Sequence, residues 1–563
     1  MGSSKIYKLV IKGYRGFQDF SWCPGAAANV ILGGGDVGKS TILDAIGLLL
    51  SPSNAGTALD IDYYLRDVDS GFSIEAIMSL SLDGDITKQF KPSWPWRWDG
   101  NDARVPGIEV DGDDKGEPVY RVRVRGTPDL ELIYDVVQPS EDTDSFSASL
   151  RRSIGLVKLG GEDRNDRDLR LVQGSALDRL LSDKTLRSRL GQTLAESEIG
   201  EALLPEKRDL LAKLNNVFVA RKLPHDLDLA ITGSQGLSIT ALIGLTAKRQ
   251  TTELPLVSWG AGTRRSAALA IAEHNQGPAP ITVIDELERG LEPYRQRRLM
   301  CHLQAGSSQS FLTTHSPAVL SAASTAKLWY LSRNGVIGEL PLAQTAGHRK
   351  SDPEAFLSTL TIVVEGATEL GFVTGLLERA FDSSLEEYGV HILECDGNEA
   401  TLALLQALAS SGISFGGFAD NEGNFPNRWN AVSEKLGKLL FRWEKGCIEE
   451  NIVGLVPEAR LWELLVDPVE PRNKTGDRRR TLATRLGLQA DDKEFATISA
   501  AAGTNLKTLI VAAACGDVPE GIPEQQKKDY KAHAGRWFKS REGGRELLEK
   551  VFSLGIWPSL RDG

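Results

Sequence analysis

The stretch GGGDVGKST, from Gly33 to Thr41, decides the fold of the N-terminal half of the chain. It matches the pattern G-x-x-x-x-G-K-[ST], in which backbone N–H groups wrap the phosphates of a nucleotide. The apolar run 30–32 before it predicts a buried strand, and the run 42–49 after it predicts an amphipathic helix. This strand–loop–helix context predicts a site for ATP, with Lys39 on the β/γ-phosphates and Ser40 on Mg²⁺. The residues expected to contact the nucleotide are Gly33, Gly35, Gly38, Lys39, Ser40 and Thr41.

Length and composition limit the class of protein. A chain of 563 residues is too long for one core and predicts three or four domains or subdomains. The net charge of −11 argues against a protein that coats nucleic acid indiscriminately, but not against a nuclease whose carboxylates hold metals. No run of eighteen apolar residues occurs, so we expect a cytoplasmic protein with no membrane partner. Five scattered cysteines without a C-x-x-C pair predict neither a zinc site nor a disulfide framework.

The fold class expected is α/β throughout, and the chain divides by pattern. Alternating apolar residues predict half-buried antiparallel strands over Phe72–Leu82 and Tyr120–Val124, with an exposed insertion at Lys91–Glu117 whose tryptophans pack on the sheet rather than stack on bases. Residues 172–222 have helical spacing broken at Pro205. The segment 341–352 is interpreted as a linker. The domains predicted are 1–160 and 233–345 as two parts of an ATPase, 161–232 as a helical insertion that is either a lid or, as we favour, a dimerisation arm, and 355–563 as a second α/β domain with a helical extension.

Two later strands deliver groups that suit nucleotide hydrolysis. The apolar run 281–284 ends in Asp285 and Glu286, the Walker B pattern, in which the aspartate supports Mg²⁺ and the glutamate polarises water. The run 311–314 delivers His315. Before both, a small-residue turn with Gly260 and Gly262 opens a helix, which makes an anion site from backbone N–H groups.

P-loop, glycine-rich helix start, Asp-Glu strand and histidine strand, in that order, resemble an ABC-type ATPase of the SMC and recombination class. The sequence YRGF at 14–17 resembles the "FRGF" of that class. The resemblance implies that the Gly260–Arg264 turn of one protomer meets the nucleotide bound by another, and therefore an ATP-dependent homodimer or a higher homo-oligomer.

Carboxylates follow three strands after residue 360. The run 360–364 ends in Glu365, with Glu369 one turn into the next helix; the run 390–394 leads to Asp396, and the run 416–419 leads to Asp420 and Glu422. Parallel strands that end in carboxylates place them at one edge of a sheet. Acidic groups so close would repel one another unless a divalent cation neutralised them, and all-oxygen ligands favour Mg²⁺ or Mn²⁺ over zinc.

This pattern resembles the topoisomerase–primase (Toprim) fold. The resemblance implies that Glu365 and Asp420 hold metal for phosphoryl transfer, with Glu369 as the helical companion and Glu422 in place of the usual second aspartate. The sequence CIEENI at 447–452 resembles the acidic helix of one Toprim nuclease group, which makes Glu450 a candidate metal ligand and Glu449 its rival.

Basic residues gather near the C-terminus and could bind the DNA backbone. Lys539, before a predicted helix, is the candidate for stabilising the charge that develops at the scissile phosphate. The other basic residues are Arg478, Arg479, Arg480, Arg485, Lys527, Lys528, Lys531, Arg536, Arg541 and Arg545.

An ABC-type ATPase with a helical insertion followed by a Toprim domain resembles the overcoming-lysogenisation-defect (OLD) nucleases over nearly the whole chain. The resemblance implies an ATP-regulated DNA endonuclease or nickase with two metals, one near Glu365 and Asp420 and the second near Glu369, Glu422 and Glu450. It also implies a role in bacterial anti-phage defence, with a possible defence-system partner. Two alternatives stay open: an ATP-gated DNA clamp with a degenerate Toprim domain, and a primase- or topoisomerase-like enzyme, for which Tyr530 is the late tyrosine.

Overall fold

The computed structural model divides the chain into two compact units, Met1–Leu342 and Ala343–Gly563, each with its own hydrophobic core. The residues that the structure describes are 4–53, 57–80, 94–106, 116–159, 167–172, 175–181, 203–231, 243–274, 280–409, 411–466, 477–489 and 494–562.

The described part of the first unit contains seventeen strands in three sheets. They are β1 (Lys5–Tyr14), β2 (Phe17–Trp22), β3 (Ala28–Leu32), β4 (Phe72–Ser79), β5 (Trp96–Trp98), β6 (Ala103–Arg104), β7 (Glu117–Gly126), β8 (Leu132–Val137), β9 (Thr143–Ser145), β10 (Leu156–Leu159), β11 (Asp228–Ile231), β12 (Ile243–Arg249), β13 (Thr252–Pro255), β14 (Ile281–Ile284), β15 (Ser310–Thr313), β16 (Lys327–Leu331) and β17 (Ile337–Leu340).

The first sheet is antiparallel, with β2, β1, β4 and β7 side by side and β8 and β9 beyond β7. The predicted strands around residues 72–82 and 120–124 are confirmed as β4 and β7. The expectation of a wholly exposed insertion at Lys91–Glu117 is wrong for its described part, because β5 pairs with both β6 and β7. Trp96 is buried and its indole N–H donates to the Val137 carbonyl, which confirms that this tryptophan packs on the sheet, whereas Trp94 is exposed.

The second sheet carries the nucleotide-binding motifs and has the order β10-β14-β15-β3-β16-β17. All neighbours are parallel except the antiparallel edge pair β16–β17. Strands β3, β14 and β15 are buried along their whole length, as their mostly apolar sequences predict. Their parallel pairing brings the carboxyl ends of all three to one edge.

Helices flank these sheets, and β11, β12 and β13 form a small third sheet. Of the predicted helical region 172–222, the described residues form two helices, and Pro205 begins the second of them; residues 182–202, the centre of the predicted dimerisation arm, lie outside the described part of the chain. The helices of this unit are Lys39–Leu49, Ala148–Ile154, Ala176–Leu181, Pro205–Ala220, Ala261–Glu273, Pro293–Ala305 and Pro317–Ala322.

The second unit is built on a four-stranded parallel sheet with the order β19-β18-β20-β21. Its strands are β18 (Leu360–Val364), β19 (Val390–Glu394), β20 (Phe415–Ala419) and β21 (Leu440–Arg442). The three predicted strands that end in carboxylates are therefore confirmed as parallel neighbours. Its helices are Leu342–Ser351, Ala367–Phe381, Asn398–Leu408, Pro426–Leu436, Ile448–Leu455, Arg478–Arg485, Phe495–Ala502, Leu506–Cys515, Glu524–Ala532, Arg541–Ser553 and Trp557–Asp562.

The segment 341–352, interpreted above as a linker, is mostly helix, and Thr345 and Arg349 in it are buried. The division between the two units falls after Leu342, within this segment, so the segment does connect them, as a helix rather than as an irregular linker.

Backbone contact fixes the last long helix against the helix after β18. A Cβ atom added to Gly371 would lie 1.9 Å from the Arg541 carbonyl oxygen, and one added to Gly544 would lie 2.0 Å from that of Thr368. These two helices therefore approach as closely as glycine permits, which brings residues 538–541 beside Glu369.

One described stretch, Phe495–Cys515, is long and apolar enough to cross a membrane by length and composition alone. It is interrupted by a short 3₁₀ turn at Gly503–Asn505. Ile498 and Ile510 within it are fully buried in the core of the second unit, so the stretch is a weak indication of a membrane span.

Candidate functional site

The P-loop joins β3 to the helix Lys39–Leu49, and the lysine begins that helix. Gly38 has a φ of 101°, a conformation that side-chain-bearing residues rarely adopt. The ammonium group of Lys39 donates to the carbonyl oxygens of Gly33 at 2.8 Å and Gly34 at 2.5 Å. Burial lowers the pKa of Lys39, while Asp285, Asp36 and Glu286 oppose that shift. The loop is thus closed on its own lysine in this state.

The end of β14 meets the P-loop through Asp285. Its Oδ1 accepts a hydrogen bond from Thr313 Oγ1 at 2.6 Å and another from Ser40 Oγ at 3.2 Å. Ser40 and Asp285 are the two groups expected to support Mg²⁺, and the structure brings them into direct contact. Glu286 follows with a φ of 49°, its backbone N–H held by Thr313 Oγ1 at 2.8 Å.

Arg265 fixes the backbone of this turn, and the sequence reasoning missed it. Its buried guanidinium donates to the carbonyl oxygens of Asp285 at 2.5 Å, Glu286 at 2.9 Å and Arg289 at 3.0 Å. Desolvation lowers the pKa of Arg265, and nearby Arg289 lowers it further. Nothing local distinguishes Arg265 from Arg264 in sequence, so only the fold identifies it.

His315 is exposed at the end of β15 and lines the same cavity as the P-loop. Its backbone N–H donates to Glu288 Oε1 at 2.7 Å, and Thr314 Oγ1 donates to Glu288 Oε2 at 2.6 Å. The cavity has a volume of about 840 Å³ and is lined mainly by polar groups, which suits a nucleoside triphosphate better than an apolar ligand. The predicted residues that line it are Gly35, Gly38, Lys39, Ser40, Thr41, Asp285, Glu286 and His315.

The glycine-rich turn at the start of the helix Ala261–Glu273 does not line this cavity in the described residues. Gly260 is exposed, with open space around it. Gly262 is buried, and a Cβ atom there would lie 2.2 Å from the Gly290 carbonyl oxygen. The turn is therefore packed directly on the segment that follows Asp285 and Glu286.

A second constellation lies at the carboxyl edge of the sheet in the second unit. Glu365 follows β18 and Asp420 follows β20, and both are buried. Oε1 of Glu365 accepts hydrogen bonds from the Asp420 backbone N–H at 2.7 Å and from Asn398 Nδ2 at 2.6 Å. Asn398 begins the helix after β19, and the sequence reasoning missed it; the signal available was its place just after the end of that strand, at DGN.

Glu369 and Glu449 complete the buried acidic cluster. Glu369 lies in the first turn of the helix Ala367–Phe381, and Glu449 in the first turn of the helix Ile448–Leu455. Glu449 is 0% exposed, and neither of its carboxylate oxygens accepts a hydrogen bond from any residue that the structure describes. Lys539 Nζ lies 3.4 Å from Glu449 Oε1. We define the acidic cluster as Glu365, Glu369, Asp420 and Glu449.

The pKa values of the cluster reflect burial and mutual repulsion. Desolvation, opposed in part by the two hydrogen bonds, raises the pKa of Glu365 to about 7. Desolvation and then Glu369 and Glu365 raise the pKa of Asp420 to about 9. Desolvation and Glu449 also raise the pKa of Glu369. For Lys539, Glu449 and Glu369 outweigh desolvation and raise the pKa of the ammonium group.

Two predicted ligands do not join the cluster. Glu422 is exposed on the loop after β20, where its Oε2 accepts a hydrogen bond from Asn424 Nδ2 at 3.3 Å. Glu450 is exposed and its carboxylate lies over Gly446. Of the two rivals on the acidic helix, the structure turns Glu449 toward the cluster and Glu450 away from it. Asp396, after β19, is exposed as well.

The basic residues near the C-terminus have different surroundings. Arg478 is buried and its guanidinium pairs with both carboxylate oxygens of Glu546, at 2.7 and 2.6 Å, so the expectation that it binds DNA is wrong. Arg545 pairs with Glu378 at 2.7 Å. Tyr530 is buried under the Arg485 guanidinium. Lys528, Lys531 and Arg541 are exposed.

Two families match the chain, in the order that the motifs predict. The family described as "AAA domain, putative AbiEii toxin, Type IV TA system" matches residues 28–321, which is more than half of the chain. The family described as "Overcoming lysogenization defect protein-like, TOPRIM domain" matches residues 356–421, the segment that contains Glu365, Glu369 and Asp420. No curated protein matches the chain.

Solved structures of similar fold include an Smc head bound to the C-terminal winged-helix domain of ScpA (16% identity, TM-score 0.40, covering 61% of this chain and 99% of that one). A Pyrococcus furiosus Smc head with an extended coiled coil has 15% identity and a TM-score of 0.37, covering 62% and 99%. The recombination mediator RecF has 13% identity and a TM-score of 0.38, covering 60% and 99%.

The first unit is an ABC-type ATPase head, and the carboxylate-edged parallel sheet of the second unit is a Toprim domain. ATP and divalent metals are the cofactors that these two domains use in general. The chain therefore belongs to the family described as "AAA domain, putative AbiEii toxin, Type IV TA system", and the OLD-like Toprim domain that follows gives it the ATPase-plus-Toprim architecture of OLD proteins.

Proposed function

We propose that this protein is a divalent-metal-dependent DNA endonuclease or nickase whose Toprim site is controlled by ATP. The observation that carries the proposal is the acidic cluster, in which two carboxylates from strand ends and two from the first turns of helices are buried close enough to raise one another's pKa. Burying several carboxylates costs free energy unless a cation compensates them. Carboxylates with a purely structural role do not need to be buried so close to one another.

The donor set fits hard divalent cations. The groups are carboxylate oxygens, which Mg²⁺ and Mn²⁺ prefer. Both oxygens of Glu449 are buried without a hydrogen-bond donor among the described residues, and a cation would satisfy them. The pKa of Asp420, raised to about 9, means that this carboxyl stays protonated at neutral pH until a cation displaces the proton.

In the proposed arrangement Glu365 and Asp420 hold one cation, and Glu369 with Glu449 holds the second. Glu422 and Glu450, the ligands expected from sequence, are then auxiliary groups on exposed side chains at the rim. Bound cations supply Lewis-acid stabilisation of the phosphoryl charge and acidify the attacking water. Asn398 holds Glu365 in one orientation. Lys539 contributes positive charge beside the scissile phosphate.

ATP does not provide energy for breaking a phosphodiester, which is downhill in water. We propose that ATP binding instead engages two ATPase heads in a homodimer or larger homo-oligomer, with Lys39 of one chain and the Gly260–Arg264 turn of another on the same nucleotide. Glu286 orients water for ATP hydrolysis and His315 contacts the γ-phosphate. Residues 161–232 act as the dimerisation arm, and 355–563 as the nuclease domain. The cellular role proposed is cytoplasmic anti-phage defence.

The alternative is an ATP-gated DNA clamp with an inactive Toprim domain. The exposed Glu422, in place of an aspartate near the cluster, favours it. A topoisomerase-like reaction has less support, because it needs a nucleophilic tyrosine at the metals and Tyr530 is buried against Arg485.

Supercoiled plasmid incubated with the protein and Mg²⁺ or Mn²⁺ tests the proposal. We expect nicked circles and then linear DNA, with a rate that depends on ATP. Intact plasmid under every metal, together with normal ATP turnover, would favour the clamp. Relaxed closed circles would favour the topoisomerase-like reaction.

A further inference from the structure

Two thiols lie beside the acidic cluster, although they are 68 residues apart in the chain. Cys447 precedes the helix Ile448–Leu455, and Cys515 ends the helix Leu506–Cys515. Their sulfur atoms are 3.6 Å apart, and both side chains are partly exposed. The spacing of the cysteines in the sequence did not predict this pair, because tertiary packing alone brings the two residues together.

Glu449 completes a group of three. One oxygen of its carboxylate and the two sulfur atoms all lie within 4.8 Å of one another. Both oxygens of Glu449 are buried and accept no hydrogen bond from the described residues. Glu449 is thus a fully buried carboxylate beside two thiols, ion-paired with Lys539 but without a hydrogen bond from the described residues, and this indicates independently that a ligand binds there.

We propose that Cys447, Cys515 and Glu449 form a site for a thiophilic divalent cation of the zinc class, next to the oxygen site of the acidic cluster. Two thiolates on a tetrahedral zinc ion, with Zn–S bonds of about 2.3 Å, lie about 3.8 Å apart. The observed 3.6 Å between Cys447 and Cys515 needs little adjustment to reach that geometry. Thiolate ligands select softer cations than the carboxylates of the acidic cluster do.

Binding replaces protons with the cation. The two thiols lose their protons to solvent, the sulfur atoms and a Glu449 oxygen become the ligands, and the fourth position is left to water. Lys539 must leave Glu449 for this to happen, and its side chain is 40% exposed, so it can turn into solvent. No oxidant or reductant takes part.

The two sites would share Glu449. A thiophilic cation therefore withdraws this carboxylate from the oxygen site and lowers any activity that depends on it. The metal site itself does not depend on the proposed nuclease activity, because its ligands can be tested by binding alone.

Cobalt(II) is the probe, used on the full-length protein under a non-thiol reductant. We expect one tightly bound equivalent with a thiolate-to-cobalt charge-transfer band, displaced by zinc. Cys447→Ser and Cys515→Ser should each abolish most of the band, and Glu449→Gln should weaken affinity about tenfold. Cys301→Ser, an exposed thiol of the other unit, is the matched control and should leave the band unchanged.

The absence of a band in the wild-type protein, or a band that survives Cys515→Ser and disappears in Cys301→Ser, would overturn the proposal. Wild-type protein provides a second measurement that does not depend on the variants folding. Zinc should protect Cys447 and Cys515 from alkylation, read by peptide mass spectrometry, while Cys23 and Cys301 stay reactive. Equal alkylation of Cys447 and Cys515 with and without zinc contradicts the site.

Discussion

Lys539 Nζ lies 3.4 Å from Oε1 of Glu449, a carboxylate with 0% exposure that receives no hydrogen bond from the described residues. The charges of Glu449 and Glu369 raise the pKa of Lys539 against the opposing effect of desolvation. Without a metal, this lysine is the cation that compensates the two glutamates. Its position at the start of the last long helix makes the C-terminal extension part of the site.

The first prediction separates the two neighbouring glutamates of the acidic helix. Glu449→Gln should reduce plasmid cleavage by about 10- to 100-fold, because it removes a buried charge that holds a cation. Glu450→Gln is the matched control and should change the rate less than about twofold, since its carboxylate is exposed over Gly446. A larger loss of cleavage rate with Glu450→Gln than with Glu449→Gln would instead identify Glu450 as the metal ligand, as expected from the sequence.

The second prediction concerns Glu365, the central acceptor of the cluster. Glu365→Ala should reduce cleavage by more than about 100-fold and leave ATP hydrolysis unchanged. The reason is that the Asp420 N–H and Asn398 lose their shared acceptor. Glu394→Gln, at the exposed end of the neighbouring strand, is the control and should cleave normally. Parallel plasmid and phosphate-release assays measure both activities.

The third prediction concerns the P-loop. Lys39→Ala should remove nucleotide binding, measured by fluorescent-nucleotide titration, because the cation on the β/γ-phosphates is lost. Lys12→Ala, an exposed lysine of the first sheet, should bind as the wild type does. Unchanged ATP turnover in the Lys39 variant would contradict the role given to the loop.

The fourth prediction uses Arg265, which acts on the Walker B turn through the backbone. Arg265→Ala leaves three part-buried carbonyl oxygens without their donor, at a cost of about 1–3 kcal/mol. We expect ATP turnover to fall about tenfold with nucleotide affinity changed less than about threefold, because the P-loop keeps its contacts. Arg297→Gln, exposed on a nearby helix, is the control. Equal losses of affinity and turnover would indicate general unfolding of the head.

The fifth prediction is a pH dependence. The pKa values of Glu365, about 7, and Asp420, about 9, lie above those of free carboxyls, so the folded metal-free protein binds more protons than the unfolded chain. These two groups should therefore lower the free energy of unfolding as the pH rises from about 4 through about 9. Bound Mg²⁺ offsets the free-energy cost of deprotonating the two buried carboxyls, so it should raise Tm more at about pH 9 than at about pH 6.

The Glu365→Gln, Asp420→Asn double variant is the control for that effect, since it keeps the Mg²⁺ contacts of the ATPase unit. The difference between the two pH values should shrink in the double variant. An identical Mg²⁺ increment at both pH values in the wild-type protein would contradict the origin of the effect in the acidic cluster.

Local pattern predicted most of the strands that carry the two sites. The largely apolar runs 281–284 and 360–364 each form a parallel strand, fully buried in the first case and mostly buried in the second, with its carboxylate at the carboxyl end. Such runs are recognisable because burial on both faces leaves little place for polar residues, here only Thr282 and Thr361. The order of motifs along the chain then indicated which strand ends would meet.

The residues that the sequence could not identify act through tertiary contacts. Arg265 donates to backbone that lies twenty residues downstream, and Asn398 reaches Glu365 across a parallel sheet. Glu449 and Glu450 are adjacent in the chain, so the choice between them depends on how the acidic helix is rotated. Arg478 carries a charge that suggests DNA, but Glu546 pairs with it in the core.

The contact between Gly262 and Gly290 has a mechanical consequence. With a carbonyl oxygen only 2.2 Å from where a Cβ atom would lie at Gly262, backbone meets backbone with no flexible side chain between them. The glycine-rich turn and the segment after Glu286 are therefore expected to move together. In the proposed dimer, a partner's nucleotide that displaced this turn would also displace the backbone after Glu286, the residue proposed to orient water, so hydrolysis in each head would depend on the nucleotide bound by its neighbour.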